Sequence, residues 1–257
     1  MRILFLGNNW VGWQVLKWLR EQNEEIVGVV IHPPHKQKYV DEILTVADLP
    51  SRSVFDGSQL HRSEVMEAIS KLGPDIGLSV LFDYLVKPEF IAMLRHGVVN
   101  LHPALLPYNR GQYPNVWSIV EGTPAGVTLH YIDEGVDTGD IIAQREVPVE
   151  PVDTGATLYR RLELASTELF KEMWTLIRAG VAPHLKQTLQ GGTYHRTRDV
   201  QAIDEIDLER TYYARDLINI LRARTFPPYR GAYFVVNGRR VYMRLQLDYD
   251  KEPRHSP

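Results

Sequence analysis

The order of short apolar runs in the first thirty residues constrains the fold more than any other feature of the chain. Residues 3–6 and 26–31 are apolar runs typical of buried strands. Between them, residues 10–22 carry apolar side chains at helical spacing. A strand, a helix and a strand of these lengths form a βαβ unit, whose two strands lie parallel in one sheet. The sequence therefore predicts an α/β fold with a doubly wound, mostly parallel sheet.

The alternation of strands and helices continues through most of the chain. Further strands are predicted at residues 76–81, 97–101, 126–132 and 140–149, and further helices at residues 63–72 and from Lys87 onward. Thr154 is placed to cap a long helix that extends to about residue 177. The polar segment 32–53 contains several prolines and is predicted to be a long loop. We expect one large domain over residues 1–190.

The pattern changes after this domain, where two consecutive glycines and several polar residues interrupt it. Beyond the interruption the sequence predicts one amphipathic helix over residues 208–222 and two strands, at residues 232–236 and 240–247. We therefore predict a small C-terminal helix plus β-hairpin subdomain over residues 205–257.

The hairpin is indicated by Asn237 and Gly238, a residue pair typical of the tight turn between antiparallel strands. Both faces of the predicted hairpin carry large apolar or aromatic side chains. Because a two-stranded hairpin is marginally stable alone in water, something must cover its second face. We expect that cover to be a second copy of the chain in a homodimer.

Composition argues against several classes of protein. The 257 residues include no cysteine, which rules out disulfides, thiolate metal sites and cysteine nucleophiles. The net charge of −3 provides no basic field for nucleic acid. No run of eighteen apolar residues is present, and the short apolar run at the N-terminus lacks the cleavage site of a signal peptide. We expect a cytoplasmic protein with neither a nucleic-acid nor a membrane partner.

The loop after the first strand, between Gly7 and Gly12, lacks the middle glycine of a dinucleotide fingerprint and the Lys-Ser/Thr pair of a phosphate loop. The second strand ends at His32, without the acidic residue that holds an adenosine ribose. An NAD enzyme is therefore not predicted. The loop fits either an anion site at a helix N-terminus or a plain tight turn. His32 and His35 have no third ligand at metal spacing, so we predict no metal site.

Polar residues cluster at the end of the strand that leads into His102. Asn100 and His102 are two residues apart, so their side chains face the same side of the sheet. An amide beside an imidazole at the carboxyl end of a strand suits carbonyl chemistry, although these two residues alone fit a capped strand end better. Asp140 shifts the balance toward a site. If its glycine-flanked turn folds back toward His102, the carboxylate can orient and stabilise the imidazole.

The same region carries a resemblance to a known family. Residues 102–111, H-P-A-L-L-P-Y-N-R-G, with Pro114 and Trp117 after them, are similar to the H-[PA]-S-L-L-P-x-[YW]-R-G…P segment of folate-dependent formyltransferases. Residues 126–128 and 136–141 resemble the G-V-T and L-D-T-G-D-I blocks of that family, at matching spacing. The family includes glycinamide ribonucleotide, methionyl-tRNA and aminosugar formyltransferases.

The resemblance spans about residues 1–180, with Ala104 in place of the usual serine and one additional residue, Asn109. It implies a Rossmann-like formyltransferase fold and catalytic roles for Asn100, His102 and Asp140. It also implies N10-formyltetrahydrofolate as the formyl donor, with no metal. The implied donor pocket comprises Phe82, Tyr84, Leu85, Leu106, Arg110, Gly111, Val136 and Asp137.

The length of the chain bears on the acceptor. Glycinamide ribonucleotide enzymes end near the long helix, whereas this chain continues for about eighty residues beyond it. The tail is too short for the β-barrel of the tRNA enzymes. Residues 225–234 resemble a segment of the nucleotide-sugar N-formyltransferases.

This second resemblance implies a dTDP- or UDP-linked 4-amino-deoxysugar as acceptor, used for a surface glycan such as lipopolysaccharide O-antigen or a flagellar glycan. It also implies a dimer formed through the hairpin. The predicted acceptor site comprises Asn8, Asn9, Trp10, Tyr108 and Asn109. A methionyl-tRNA formyltransferase and a non-catalytic folate or nucleotide-sugar binding protein are the alternatives.

Overall fold

The computed structural model describes residues 1–250 of the chain. The strands are β1 (Arg2–Gly7), β2 (Glu25–Ile31), β3 (Val54–Asp56), β4 (Ile76–Val80), β5 (Val98–His102), β6 (Arg110–Gly111), β7 (Gly126–Tyr131), β8 (Ile141–Glu146), β9 (Tyr194–His195), β10 (Tyr233–Val236) and β11 (Arg239–Tyr242). The helices are α1 (Asn9–Glu21), α2 (Val40–Ala47), α3 (Ser63–Lys71), α4 (Pro88–Ala92), α5 (Pro114–Val120), α6 (Gly155–Ala179), α7 (Thr197–Ala202) and α8 (Ala214–Ala223).

Seven strands form one twisted sheet in the order β3-β2-β1-β4-β5-β7-β8. The first five strands of this order are parallel to one another. At the edge of the sheet, β7 pairs antiparallel with β5, and β8 pairs antiparallel with β7. From β1 the chain adds β2 and β3 on one side, then returns to place β4 and the later strands on the other side of β1. Ligands of such sheets bind where this order reverses, at the carboxyl ends of the strands. The prediction of a doubly wound, mostly parallel sheet is confirmed.

The side chains of β1 alternate between two hydrophobic cores, one on each face of the sheet. Ile3 and Phe5 join the core that α1, α2 and α6 cover, whereas Leu4 and Leu6 join the core that α3 and α4 cover. All four are fully buried. Each fully buried side chain of this size contributes about 1.5–3 kcal/mol relative to an exposed one. Burial on both faces explains why the parallel strands are continuous apolar runs rather than alternating ones.

The segment 32–53 is more ordered than the sequence predicts. It contains α2, whose Ile43 and Ala47 are buried against the face of the sheet that α1 covers. The prolines at positions 33, 34 and 50 lie outside this helix and bracket it. The prediction of a long loop was wrong. A helix of eight residues is stabilised mainly by tertiary packing, and two buried side chains one turn apart give too weak a pattern to predict it.

The chain after α6 folds back onto the large domain. The backbone N–H and carbonyl of Leu185 both pair with Ile141 at the start of β8. We name residues 184–187 the strap. Further along, β9 pairs in parallel with β6, next to the loop that follows β5. The segment in which the sequence pattern is interrupted is therefore built into the functional edge of the domain.

The last elements of the described chain are α8 and the β10–β11 hairpin. Asn237 and Gly238 both adopt left-handed conformations, with φ of 50° and 72°, as a two-residue hairpin turn requires. Gly155, at the start of α6, lies so close to α8 that a β-carbon there would stand 2.1 Å from the carbonyl oxygen of Ala223. Within residues 1–250, no helix combines the length and apolarity needed to span a bilayer.

Candidate active site

A cleft of about 1410 Å³ opens at the carboxyl edge of the sheet. It is lined by the loops after β1, β4 and β5, by the loop before β8, by one face of α6, by β9 and by the segment after α8. Small-molecule pockets commonly measure about 300–1000 Å³. The cleft is therefore large enough to hold two substrates together, which a group-transfer reaction requires.

Asn100 and His102 reach this cleft from the end of β5, as their spacing predicts. His102 is 6% exposed, and its Nε2 lies 3.4 Å from the carbonyl oxygen of Asn109. A carbonyl oxygen only accepts, so Nε2 carries the proton of the neutral ring. The Nδ1 atom then holds the lone pair that can take up a proton.

The carboxylate beside this imidazole belongs to Asp137. Its Oδ2 lies 3.6 Å from Nε2 of His102 and accepts a hydrogen bond of 2.9 Å from the backbone N–H of Gly111. Asp137 itself sits in the left-handed region, with φ of 53°. This backbone conformation, two residues before a glycine, turns its side chain inward from the loop.

Asp140, predicted to contact His102, lies elsewhere. Its carboxylate pairs with Nζ of Lys186 at 3.0 Å and lies 3.5 Å from Nδ1 of His184, both in the strap. Its backbone carbonyl accepts from the N–H of Tyr131 at the end of β7. The predicted contact is therefore corrected. The turn does fold back, but the residue that it presents to His102 is three positions earlier.

The strap holds the loop that carries Asp137. The side-chain amide of Gln187 donates to the carbonyl oxygens of Asp137, at 3.2 Å, and of Gly139, at 2.6 Å. Because one amide group binds both ends of this short turn, it fixes the backbone on which the carboxylate is mounted. Nothing in the local sequence around position 187 indicates this role.

Burial and charge set the protonation of the pair. Burial lowers the pKa of His102 below its ordinary value, and the facing Asp137 only partly opposes this. Burial acts to raise the pKa of Asp137, but the facing His102, the nearby His130 and the N–H of Gly111 outweigh it and hold that pKa below the ordinary range. The resting site thus favours a neutral imidazole beside a carboxylate.

A second histidine belongs to this group and was missed by sequence reasoning. His130 on β7 is 1% exposed and lies directly across from Asn100 in the β5–β7 pair. Its Nε2 lies 3.0 Å from Nδ2 of Asn100 and 3.5 Å from Oδ1 of Asp137. The available signal was one imidazole in a short, β-branched and aliphatic strand that is predicted to be buried.

Six of the eight residues of the predicted donor pocket line the cleft. These are Phe82, Tyr84, Leu85, Gly111, Val136 and Asp137. Leu106 is buried outside the lining, where its carbonyl oxygen accepts from the Gln144 side chain. Arg110 also lies outside the lining, with its guanidinium 6.0 Å from the ring centre of Tyr194.

The predicted acceptor residues divide in the same way. Asn8 and Asn9 line the cleft, and the Asn9 amide donates to the Tyr159 hydroxyl at 2.8 Å. Trp10 and Tyr108 lie outside the lining. Asn109 is fully buried and holds its own loop through bonds to Ser118, Thr123 and Thr193, so it is not available to a ligand.

Part of the cleft lining comes from residues outside the predicted donor and acceptor sites. The segment after α8 contributes Phe226 and Tyr229, whose ring centres lie 5.7 Å apart. The Nζ atom of Lys38 lies 5.3 Å from the centre of the Tyr229 ring. From α6, Tyr159 and Glu163 face the same space. Phe226 and Tyr229 lie in the segment 225–234, whose resemblance to the nucleotide-sugar enzymes did not assign individual residues to the site. Tyr159 and Glu163 carry no specific sequence signal.

An amide, an imidazole and a carboxylate at the carboxyl edge of an open α/β sheet, in a cleft with room for two ligands, define a group-transfer enzyme that acts on a carbonyl carbon. Within residues 1–250, no group of three or more metal-ligating side chains is present. Residues 1–173 match the family described as formyl transferase, and residues 199–249 match the N-formyltransferase dimerization C-terminal domain. The chain belongs to the formyltransferase family.

The sequence is similar to those of two kinds of formyltransferase. The chain is 36% identical over 193 residues to dTDP-4-amino-4,6-dideoxyglucose formyltransferase of Mycobacterium tuberculosis, covering 74% of this chain and 81% of that protein. It is 31% identical over 254 residues to methionyl-tRNA formyltransferase of Symbiobacterium thermophilum, covering 95% of this chain and 75% of that protein.

Two solved structures extend the comparison. A 4-N formyltransferase from Francisella tularensis is 26% identical, with a TM-score of 0.81 and coverage of 97% of this chain and 98% of that one. A formyltransferase from Anoxybacillus kamchatkensis, in complex with UDP-4,6-dideoxy-4-formamido-L-AltNAc and tetrahydrofolate, is 32% identical. Its TM-score is 0.57, with coverage of 79% of this chain and 89% of that one.

Proposed function

We propose that this protein is a sugar N-formyltransferase. It transfers the formyl group of N10-formyltetrahydrofolate to the 4-amino group of a dTDP- or UDP-linked 4-amino-deoxysugar, for the synthesis of a surface glycan. The observation that carries the proposal is the shared cleft. Its lining includes the Asn100, His102 and Asp137 group together with the aromatic residues that follow α8. The relative from Mycobacterium tuberculosis is described as a dTDP-4-amino-4,6-dideoxyglucose formyltransferase, and the structure from Francisella tularensis as a 4-N formyltransferase.

The donor half of the cleft suits a folate. Leu85 and Val136 expose 64% and 41% of their surface there, and Phe82 lies close by in the lining. Exposed apolar side chains next to the polar backbone of two loops fit a flat heteroaromatic ring with hydrogen-bonding edges. When bound, the folate supplies the activated formyl carbon. Its binding near β4 and the loop of Val136 places that carbon by Asn100 and His102.

Asn100 and His102 then divide the chemistry between them. The Asn100 amide donates a hydrogen bond to the formyl oxygen as negative charge develops there. Neutral His102 accepts the proton of the attacking amine at Nδ1 and returns it to the nitrogen that leaves. Asp137 stabilises the imidazolium that forms between these two transfers. A bond forms from the acceptor nitrogen to the formyl carbon, the bond from that carbon to N10 breaks, and the proton ends on N10.

The acceptor half of the cleft suits a nucleotide. Phe226 and Tyr229 offer aromatic faces for a base, with Lys38 next to the Tyr229 ring. Asn9 begins α1 after β1, and the N-terminus of a helix favours a phosphate. We propose Asn9 and the loop that starts at Asn8 for the diphosphate side and the two aromatic residues for the base side. The Asn8 side chain is bonded to His32 and Lys38, so its proposed role is to hold this loop.

The organisation of the whole protein follows the same proposal. Residues 1–190 form the catalytic domain, and residues 205–257 form the small subdomain, of which residues 251–257 lie outside the described part. The protein assembles as a homodimer through the C-terminal hairpin, whose Val235, Val236 and Val241 are 42%, 43% and 44% exposed. The enzyme works in the cytoplasm. Light scattering tests the dimer, and a monomer at tens of micromolar contradicts it.

Turnover tests the function directly. The purified protein is given N10-formyltetrahydrofolate with a dTDP- or UDP-linked 4-amino-deoxysugar, and release of tetrahydrofolate and formation of the formamide are followed.

In parallel, dTDP and UDP should raise the melting temperature of the wild type. The two nucleotides should have little effect on the melting temperature of Tyr229→Ala. The control is Tyr213→Ala, since Tyr213 is 83% exposed and lies outside the cleft lining, and this variant should respond like the wild type. Binding of both ligands without turnover would indicate a non-catalytic binding protein.

Methionyl-tRNA formylation is the second candidate, because identity to that enzyme extends over 95% of this chain. Against it, residues 199–249 match the N-formyltransferase dimerization C-terminal domain. Formylation of methionyl-tRNA at physiological salt, with no product from either sugar nucleotide, would select this candidate.

A further inference from the structure

His130 occupies a position that the proposed chemistry leaves without a role. It is buried in β7, and its ring lies between Asn100 and Asp137, the two groups that serve the formyl oxygen and the His102 imidazole. Its ring is nearly perpendicular to that of His102, with centres 6.3 Å apart. A purely space-filling residue here would be aliphatic, as Leu129 beside it is, because a buried ring with two polar nitrogens must satisfy both.

The two ring nitrogens of His130 have unequal partners. Nδ1 lies 2.8 Å from the backbone carbonyl oxygen of Tyr131. Since that oxygen only accepts, Nδ1 carries a proton. In the neutral ring Nε2 then carries no proton and can only accept a hydrogen bond. The atom at hydrogen-bond distance from it is Nδ2 of Asn100, 3.0 Å away. Oδ1 of Asp137, at 3.5 Å, is beyond a normal hydrogen bond.

The oxygen and nitrogen of an asparagine amide are nearly isosteric, so their assignment depends on the partners. With a bare Nε2 opposite it, Asn100 must present its NH₂ group rather than its oxygen. One N–H is used by His130, and the second stays available at the cleft. The reverse orientation would need a proton on both nitrogens of His130.

We propose that His130 is a positioning residue that holds the Asn100 amide with its NH₂ group toward the reaction. The proposal rests on the proposed function in one respect, namely that the available N–H meets a formyl oxygen. A neutral His130 also makes no hydrogen bond to Asp137, which leaves that carboxylate to His102 and Gly111. His130 borders the cleft, but its two ring nitrogens are occupied by Asn100 and Tyr131, so it acts on the reaction only through Asn100.

Kinetics of two variants separates this role from a structural one. His130→Met keeps a side chain of similar volume without an acceptor, whereas His130→Gln can place an amide oxygen near the position of Nε2. A contact made in the transition state lowers kcat rather than raising KM. We expect kcat of His130→Met to fall by about 10- to 100-fold, with KM for both substrates nearly unchanged, on the scale of a weakened oxyanion donor. His130→Gln should recover most of that loss.

Leu129→Met, on the opposite face of the same strand, is the packing control and should retain wild-type kcat. Equal losses of kcat in the methionine and glutamine variants, or no loss in the methionine variant, would overturn the proposal.

A spectroscopic test does not depend on activity or on the folding of a variant. The ring ¹⁵N resonances of His130 in the wild-type protein, near neutral pH, report which nitrogen holds the proton. We expect a protonated Nδ1 and a bare Nε2. A proton on Nε2 would overturn the inference whatever the kinetics show. If no acceptor is formylated at all, the proposed function fails, and the NMR result still decides the state of His130.

Discussion

In the folded chain, Nε2 of His102 lies 3.6 Å from Oδ2 of Asp137, while the carboxylate of Asp140 turns away to Lys186. The two acids are three residues apart in one short loop. The carboxylate of Asp137 faces the imidazole, whereas that of Asp140 is paired elsewhere, so Asp137 interacts more strongly with a charge on the ring. This relationship assigns the acid of the site to Asp137.

Exchange of each acid for its amide tests that assignment. Asp137→Asn should lower kcat by about 10²- to 10⁴-fold, the scale of a positioned acid–base group, since the imidazolium loses its counter-charge. Asp140→Asn is the matched control and should stay within a few-fold of wild type. Steady-state kinetics measures both, with circular dichroism to verify folding. A larger loss in Asp140→Asn than in Asp137→Asn would reverse the assignment.

The pH dependence of kcat/KM should report His102. Its pKa is lowered by burial, and the reaction needs the neutral ring, so activity should fall with decreasing pH only below the ordinary histidine value of 6.5. Asp137 opposes this lowering, and its loss should lower the pKa further. In Asp137→Asn the acidic limb should therefore move to lower pH. A shift to higher pH would contradict the sign of this interaction.

Gln187 should matter for catalysis although it lies outside the cleft lining. Gln187→Leu removes the donor to the carbonyls of Asp137 and Gly139, so the loop loses its anchor. We expect kcat to fall by about tenfold, which corresponds to about 1.4 kcal/mol, comparable to one hydrogen bond. Gln190→Leu, at an exposed position three residues away, is the control. Equal kcat in the two variants would show that the strap does not position Asp137.

Arg222 should anchor the C-terminal subdomain. Its Nη1 lies within 3.2 Å of the carbonyl oxygens of Glu150, Pro151 and Asp153, just before α6. Arg222→Met leaves these acceptors without their donor and should lower the free energy of unfolding by about 2–4 kcal/mol. Urea denaturation measures it, with the exposed Arg215→Met of the same helix as control. An unchanged midpoint would mean that apolar contacts alone hold α8 in place.

Local patterns in the sequence identified the elements that depend on local physics. The period of apolar residues located β1, α1 and β2, and the residue pair at 237–238 located the hairpin turn, where both residues need positive φ. Thr154 was identified as the cap of α6, and its hydroxyl accepts from the N–H of Thr157. Alternation within one strand also placed Asn100 and His102 together on the cleft side.

The tertiary structure alone decided which residues from different segments meet. A loop without periodicity does not show where its side chains point, so residues 133–140 could not reveal that Asp137 faces His102. The left-handed backbone of Asp137 and its bond to the N–H of Gly111 set that direction. His130 and Gln187 join the site through contacts with residues 30 and 50 positions away in the chain, respectively. Such contacts form because the sheet brings distant strand ends to one edge, and no short stretch of sequence records that geometry.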